Sequence, residues 1–205
     1  MSLPVCRCSR SFLLALAWPA WAGSGVHEIK NFHQVDQHVY RGGQPSVAGF
    51  RYLAQIGVKT VIDLREADAR SKKEERVVTA AGMQYVSVPM TGLTPPTEAE
   101  ITRILGILED ENTGAVFVHC QRGADRTGAI IASYRIDHDG WDSAQALREA
   151  KALGMSFFQF PRQSFIRTFQ RHEAVAAAAP PTVPASIATT ADPRGAVSPA
   201  SAGLK

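Results

Sequence analysis

Ala115-Val116-Phe117-Val118-His119-Cys120-Gln121-Arg122-Gly123-Ala124-Asp125-Arg126-Thr127-Gly128-Ala129-Ile130-Ile131 is the stretch that decides the fold. An apolar, β-prone run ends at a cysteine, a glycine-containing loop follows, and a helical apolar pattern opens at an arginine. The order is buried strand, phosphate-sized loop, helix start. Backbone N–H groups at a helix start have no partner within the helix and carry the positive end of its dipole, so such a loop holds an anion. A cysteine placed there has its thiolate stabilised near neutral pH.

The flanking chain repeats the alternation. Ser46 caps a helix through Phe50, Leu53 and Ile56 that stops at Gly57. Val58–Leu64 is a buried strand, and a charged segment then leads into a helix that ends near Ala81, before Gly82. Tyr85–Val88 is a further strand, and a Gly/Pro/Thr loop spans Pro89–Pro96. Thr97 and Glu100 form a capping box for a helix bearing Ile101, Ile104, Leu105 and Leu108. After Cys120 the sequence predicts helices to about Asp139, from Asp142 to Leu153, and from Phe157 to His172. Phe157, Phe158, Phe160, Phe165 and Phe169 are expected to pack that last helix on the core. Strands alternating with helices specify an α/β class with a central, mostly parallel sheet flanked by helices. Ligands then bind beyond the C-terminal ends of the strands, where Cys120 sits.

The chain has 205 residues and a formal net charge of +3, with two of the positives, Arg7 and Arg10, near its start. That balance gives no reason to expect nucleic acid or an anionic membrane as partner. Residues 1–22 read as a signal peptide: a basic start, the apolar run Phe12–Trp18, and Ala20-Trp21-Ala22 before the cut. Pro19 interrupts an apolar run already too short to span a bilayer. The expectation is therefore a periplasmic or secreted monomer, with a domain over residues 23–173. Residues 174–205, rich in Ala and Pro, form a tail expected to be disordered. Removing the leader takes Cys6 and Cys8 with it, leaving Cys120 as the lone thiol. An unpaired cysteine in an oxidising compartment favours chemistry over structure.

His119-Cys120, five residues, then Arg126-Thr127-Gly128 resembles the signature of the cysteine-based phosphatases of the protein tyrosine phosphatase superfamily. The small domain resembles their bacterial dual-specificity members, helped by Val39-Tyr40-Arg41-Gly42-Gly43-Gln44-Pro45 and Val61-Ile62-Asp63-Leu64-Arg65. The resemblance implies the cysteine phosphatase fold and hydrolysis of phosphate monoesters through a phosphocysteine, with no metal or cofactor. Cys120 would be the nucleophile, and the loop of Gln121, Arg122, Gly123, Ala124, Asp125 and Arg126 would cradle the phosphate. Arg126 would grip two oxygens through its planar fork, Thr127 would steady the thiolate, and His119 would orient the loop. Substrates would be phosphorylated proteins or peptides, or small phosphorylated molecules, with inositol phosphates or phosphoinositides second, favoured by Arg122 and Asp125.

One family element is missing. The loop Pro89–Pro96, where such enzymes carry a general-acid Asp, has no carboxylate. Asp125 is the leading substitute, Glu98 or Glu100 from the next helix the alternative, and absence of a side-chain acid the third possibility. Asp125 has a plainer reading as an ion-pair partner of Arg122 or another surface arginine. Asp63 with Arg65 reads as a structural pair, Arg41 as a buttress of the loop, and His27, His33 and His38 as solvated. Two rivals stand beside the phosphatase: a phosphate-binding module without catalysis, and a rhodanese-like sulfurtransferase, which the Arg-Thr-Gly continuation disfavours.

Overall fold

A computed structural model describes residues 26–171; the leader and tail expected at residues 1–22 and 174–205 lie outside them. The elements in chain order are β1 (His33–Gln34), β2 (Val39–Gly42), α1 (Val47–Gln55), β3 (Val58–Asp63), α2 (Ala69–Ala80), β4 (Gln84–Ser87), α3 (Glu98–Glu109), β5 (Ala115–His119), α4 (Asp125–Asp137), α5 (Ser143–Ala152) and α6 (Phe160–Thr168). The sheet order is β1-β2-β5-β3-β4, parallel except for the short edge strand β1. The α/β expectation therefore holds, with β5 at the centre of the sheet.

Local chemistry sets the helix limits. Ser46 caps α1 through the Gly49 amide, Asp68 and Ser71 close a capping box on α2, and Thr97 with Glu100 does the same on α3. Each such cap contributes about 1 kcal/mol. The last helix departs from the pattern: it begins at Phe160 and ends at Thr168, shorter at both ends than expected. Pro161 occupies its first turn, where a missing N–H costs nothing. Residues ahead of it form a loop instead.

Alternation along β5 divides the molecule. Val116 and Val118 point to the face covered by α3 and α4, with Ile62, Ile104, Leu108, Ile130 and Ile131. Phe117 points to the face covered by α1 and α2, with Phe50, Leu53, Val61 and Val78. Full burial of each such side chain is worth about 1.5–3 kcal/mol. α4 is buried on nearly every side, because α5 and α6 close over it through Ala129, Ala132, Ala146, Ala150 and Ile166. The same period-two register sends His119 to the α2 side and Cys120 to the α4 side. Among the described residues, no helix is long and apolar enough to cross a membrane.

Candidate active site

The catalytic-type loop runs from the end of β5 to the start of α4. Ala124 is the N-cap of α4 and contributes no side-chain hydrogen bond, so no cap competes for the first amides of the helix. Cys120 is buried at the base of the loop as a free thiol. Burial alone pushes its pKa up. The Thr127 hydroxyl, the Thr127 and Arg122 amides and the Arg126 charge outweigh burial and hold the thiol below its ordinary value. The Thr127 hydroxyl is fully buried and is the foremost of the groups that lower the Cys120 pKa.

The loop's curl rests on the backbone of Gly42 and Gly43. Gly123 has φ +70, and a Cβ there would stand 2.3 Å from the Gly42 carbonyl carbon and 2.4 Å from the Gly43 nitrogen. Backbone packs on backbone, which only glycine permits. The Gly123 carbonyl accepts from Arg41 Nη2 at 2.7 Å and Asn31 Nδ2 at 2.8 Å, and the Gln121 carbonyl accepts from the Gln44 amide at 3.3 Å. Arg41 is thus the buttress expected, and desolvation pulls its pKa down to about 10. Asn31 escaped notice because a lone polar residue in a short lead-in carries no pattern. Gly123→Ala is expected to lower kcat/KM by about 10²-fold through displaced loop amides, with far-UV circular dichroism retained.

His119 belongs to a buried cluster of charges. Its Nδ1 lies 3.4 Å from the Cys120 carbonyl, and its Nε2 lies 2.8 Å from Glu74 Oε1, off the N–H axis, as an ion-pair contact. Arg65 donates to both oxygens of Asp63, at 2.9 and 2.7 Å, and to Glu74 Oε2 at 2.7 Å. Tyr85 donates to Asp63, and Gln44 to Glu74. Asp63, Glu74 and His119 have the spacing of a metal site. Arg65 already supplies a cation there, and protonated His119 would balance the two carboxylates. Burial lowers the His119 pKa, but Glu74 and then Asp63 raise it more, so the net shift is upward. Asp63 and Arg65 are therefore structural, as expected, while Glu74 was invisible among the charges of α2. Glu74→Ala strands buried cations and is expected to cost about 3–5 kcal/mol in urea unfolding.

Arg126 Nη1 donates to the carbonyls of Leu64 and Met90, both at 3.3 Å. A second arginine, Arg162 of α6, is wholly buried and donates to Gly92 O at 2.7 Å and Thr91 O at 2.6 Å. Arg126 thus ties the carboxylate-free loop to the loop after β5, and Arg162 ties it to α6. Arg162 pairs with carbonyls far away in sequence, a signal that no local pattern carries.

Of the candidate acids, Glu98 is exposed in the first turn of α3. Asp125 Oδ2 pairs with Arg122, and Oδ1 accepts from the Ser156 amide at 2.8 Å. The plainer ion-pair reading is therefore realised. Glu100 accepts from the Thr97 amide and hydroxyl as the cap of α3. Arg122 is 61% exposed at the rim.

Residues 19–168 match the family profile described as DSP-PTPase phosphatase fused to NAD+ kinase. The chain belongs to that family. It is 33% identical over 137 residues to the dual specificity protein phosphatase TpbA of Pseudomonas aeruginosa, covering 66% of this chain and 60% of TpbA. The chain thus spans rather less than two thirds of that relative's length. The crystal structure of P. aeruginosa TpbA superposes with TM-score 0.60 at 26% identity, over 69% of this chain and 86% of that one. A TpbA serine variant in complex with pTyr gives TM-score 0.59 over 67% and 83% of the two chains, at 26% identity. The catalytic core of the PP-IP phosphatase SIW14 from S. cerevisiae, at 23% identity and TM-score 0.60 over 69% and 86%, shares the fold. The cysteine phosphatase-like fold expected from the signature is the one observed.

Proposed function

We propose that this chain hydrolyses phosphate monoesters through a phosphocysteine, with phosphotyrosine and dual-specificity protein substrates first. The observation that carries the reading is the site of Cys120: a buried thiol at the foot of an uncapped helix, held toward thiolate by the Thr127 hydroxyl, backbone amides and the charge of Arg126. Cys120 attacks phosphorus and the ester oxygen leaves; water then attacks the phosphocysteine and frees phosphate and thiolate. The amides of residues 121–126 and the free edge of Arg126 receive the phosphoryl oxygens. A phosphate-binding module would need neither the buried thiol nor the Thr127 hydroxyl beside it. An inositol phosphate is the second reading, in which a further phosphate of the substrate takes the exposed Arg122 from Asp125.

Asp125 is proposed as the proton donor to the leaving group, because it opens α4 beside the loop while Glu100 is committed to the α3 cap. Donation requires release of Arg122, which an arriving phosphate provides by competing for the guanidinium, and a proton that the freed carboxylate takes from solvent before passing it to the ester oxygen. Asp125→Asn is expected to slow phenyl and alkyl phosphates by about 10²-fold and 4-nitrophenyl phosphate far less. Equal losses on both would remove Asp125 from that role. Turnover of a panel of phosphotyrosine, phosphoserine and inositol phosphate substrates tests the substrate class. Export is proposed from residues 1–22, and cell fractionation of the full chain tests it.

A further inference from the structure

Three phenylalanines lie where core packing was expected and are instead in solvent. Phe157 is 71% exposed, Phe158 77% and Phe160 56%. Phe157 is the hub, with its ring 5.7 Å from that of Phe158 and 5.3 Å from that of Phe160, both edge to face. Only Phe165 and Phe169 of the five turn toward the core.

The segment is pinned to the catalytic mouth. Ser156, directly before Phe157, donates its amide to Asp125 of the phosphate loop. Gln159, directly after Phe158, donates to Gly92 O at 3.3 Å, and Arg162 holds Thr91 and Gly92. Gln163 ties back the carbonyls of Ser156 and Phe157 at 3.1 and 3.0 Å. The neighbouring loop adds Leu93, 70% exposed. An apolar platform is therefore fixed one residue from a group that touches the phosphate loop.

We infer that Phe157, Phe158 and Phe160, with Leu93, form a substrate subsite that takes apolar side chains flanking the phosphorylated residue of a polypeptide. The inference rests on the phosphatase reading and deepens it. Continuity with the phosphate loop is the first argument: a chain whose phosphate reaches Cys120 passes this rim. Rigidity is the second, because a pre-ordered aromatic surface binds without paying to be ordered. A membrane-inserting tip would protrude and carry a basic belt, whereas this segment is tied down at both ends and the chain's net charge is only +3. The chain beyond residue 171 is poor in large apolar residues and is a weak candidate to cover three phenyl rings.

The test uses the full chain and the double variant Phe157→Ser/Phe158→Ser, whose exposed positions leave folding intact. Phosphotyrosine peptides differ only in the flanking pairs, Leu-Phe or Asp-Ser, placed before or after the phosphotyrosine. Wild type is expected to prefer an apolar-flanked peptide by about tenfold in kcat/KM, mostly through KM. The variant is expected to lose that preference while turning over 4-nitrophenyl phosphate at the wild-type rate. No preference in wild type, or one that survives in the variant, overturns the inference. So does sedimentation of wild type but not variant with phosphatidylcholine/phosphatidylglycerol vesicles without a peptide preference. A wild-type dimer that the variant dissociates, again without a peptide preference, does the same. If wild type hydrolyses no aryl phosphate, the phosphatase reading fails separately. Calorimetric affinity of the same peptides for Cys120→Ser then decides the subsite.

Discussion

Cys120→Ser is expected to abolish turnover of 4-nitrophenyl phosphate, by at least about 10⁴-fold, in a protein that unfolds at the wild-type denaturant concentration. Serine keeps the size of the group and loses the easily formed anion. Everything around Cys120 is arranged for that anion: the Thr127 hydroxyl, two backbone amides and the Arg126 charge offset the burial that would otherwise protonate it. The sign has a pH consequence. A thiol pKa lowered from its ordinary value keeps the thiolate populated at lower pH, so alkylation of Cys120 by iodoacetamide should persist to a lower pH than that of an ordinary thiol. Loss of the Thr127 hydroxyl in Thr127→Ala should shift that alkylation profile upward. Intact turnover by the serine variant would transfer the chemistry to another group and end the phosphocysteine account.

Arg126→Lys is expected to lower kcat by about 10³-fold with a smaller change in the affinity of product phosphate. The planar fork does two things at once here. Nη1 is committed to the carbonyls of Leu64 and Met90, which fixes the plane of the group, and the remaining donors are left for the phosphoryl oxygens. Lysine keeps the charge but has neither the second edge nor the anchored plane, so it binds phosphate in the ground state and fails the geometry of the transition state. A change confined to KM would show that Arg126 only binds.

Much of the fold was legible because it is written locally. Caps at Ser46 and Thr97 mark helix starts, glycines at 57, 82, 140 and 154 adopt positive φ after helices, and the apolar runs of β3 and β5 carry their own length. Signals that failed were those shared by two environments. A helical spacing of phenylalanines looks the same whether the segment is buried or not, and the structure leaves Phe157, Phe158 and Phe160 in a solvent-facing loop and first turn.

The site divides along the same line. Cys120, Arg126, Thr127 and the loop between them are contiguous, so strand, loop and helix start place them together by chain connectivity alone. Sequence by itself therefore determined the α/β class, the loop between strand and helix with the cysteine at its base, and the family. The supports come from elsewhere in the chain: Arg41 and Asn31 on the Gly123 carbonyl, Glu74 on His119, and Arg162 on the loop that lacks a carboxylate. Each is an ordinary polar residue until the fold removes water from it. Burial then makes every unpaired charge costly and allows only the arrangement in which guanidinium, carboxylate and carbonyl meet. Only the tertiary structure could decide those pairings, because they depend on which side chains lose their water together.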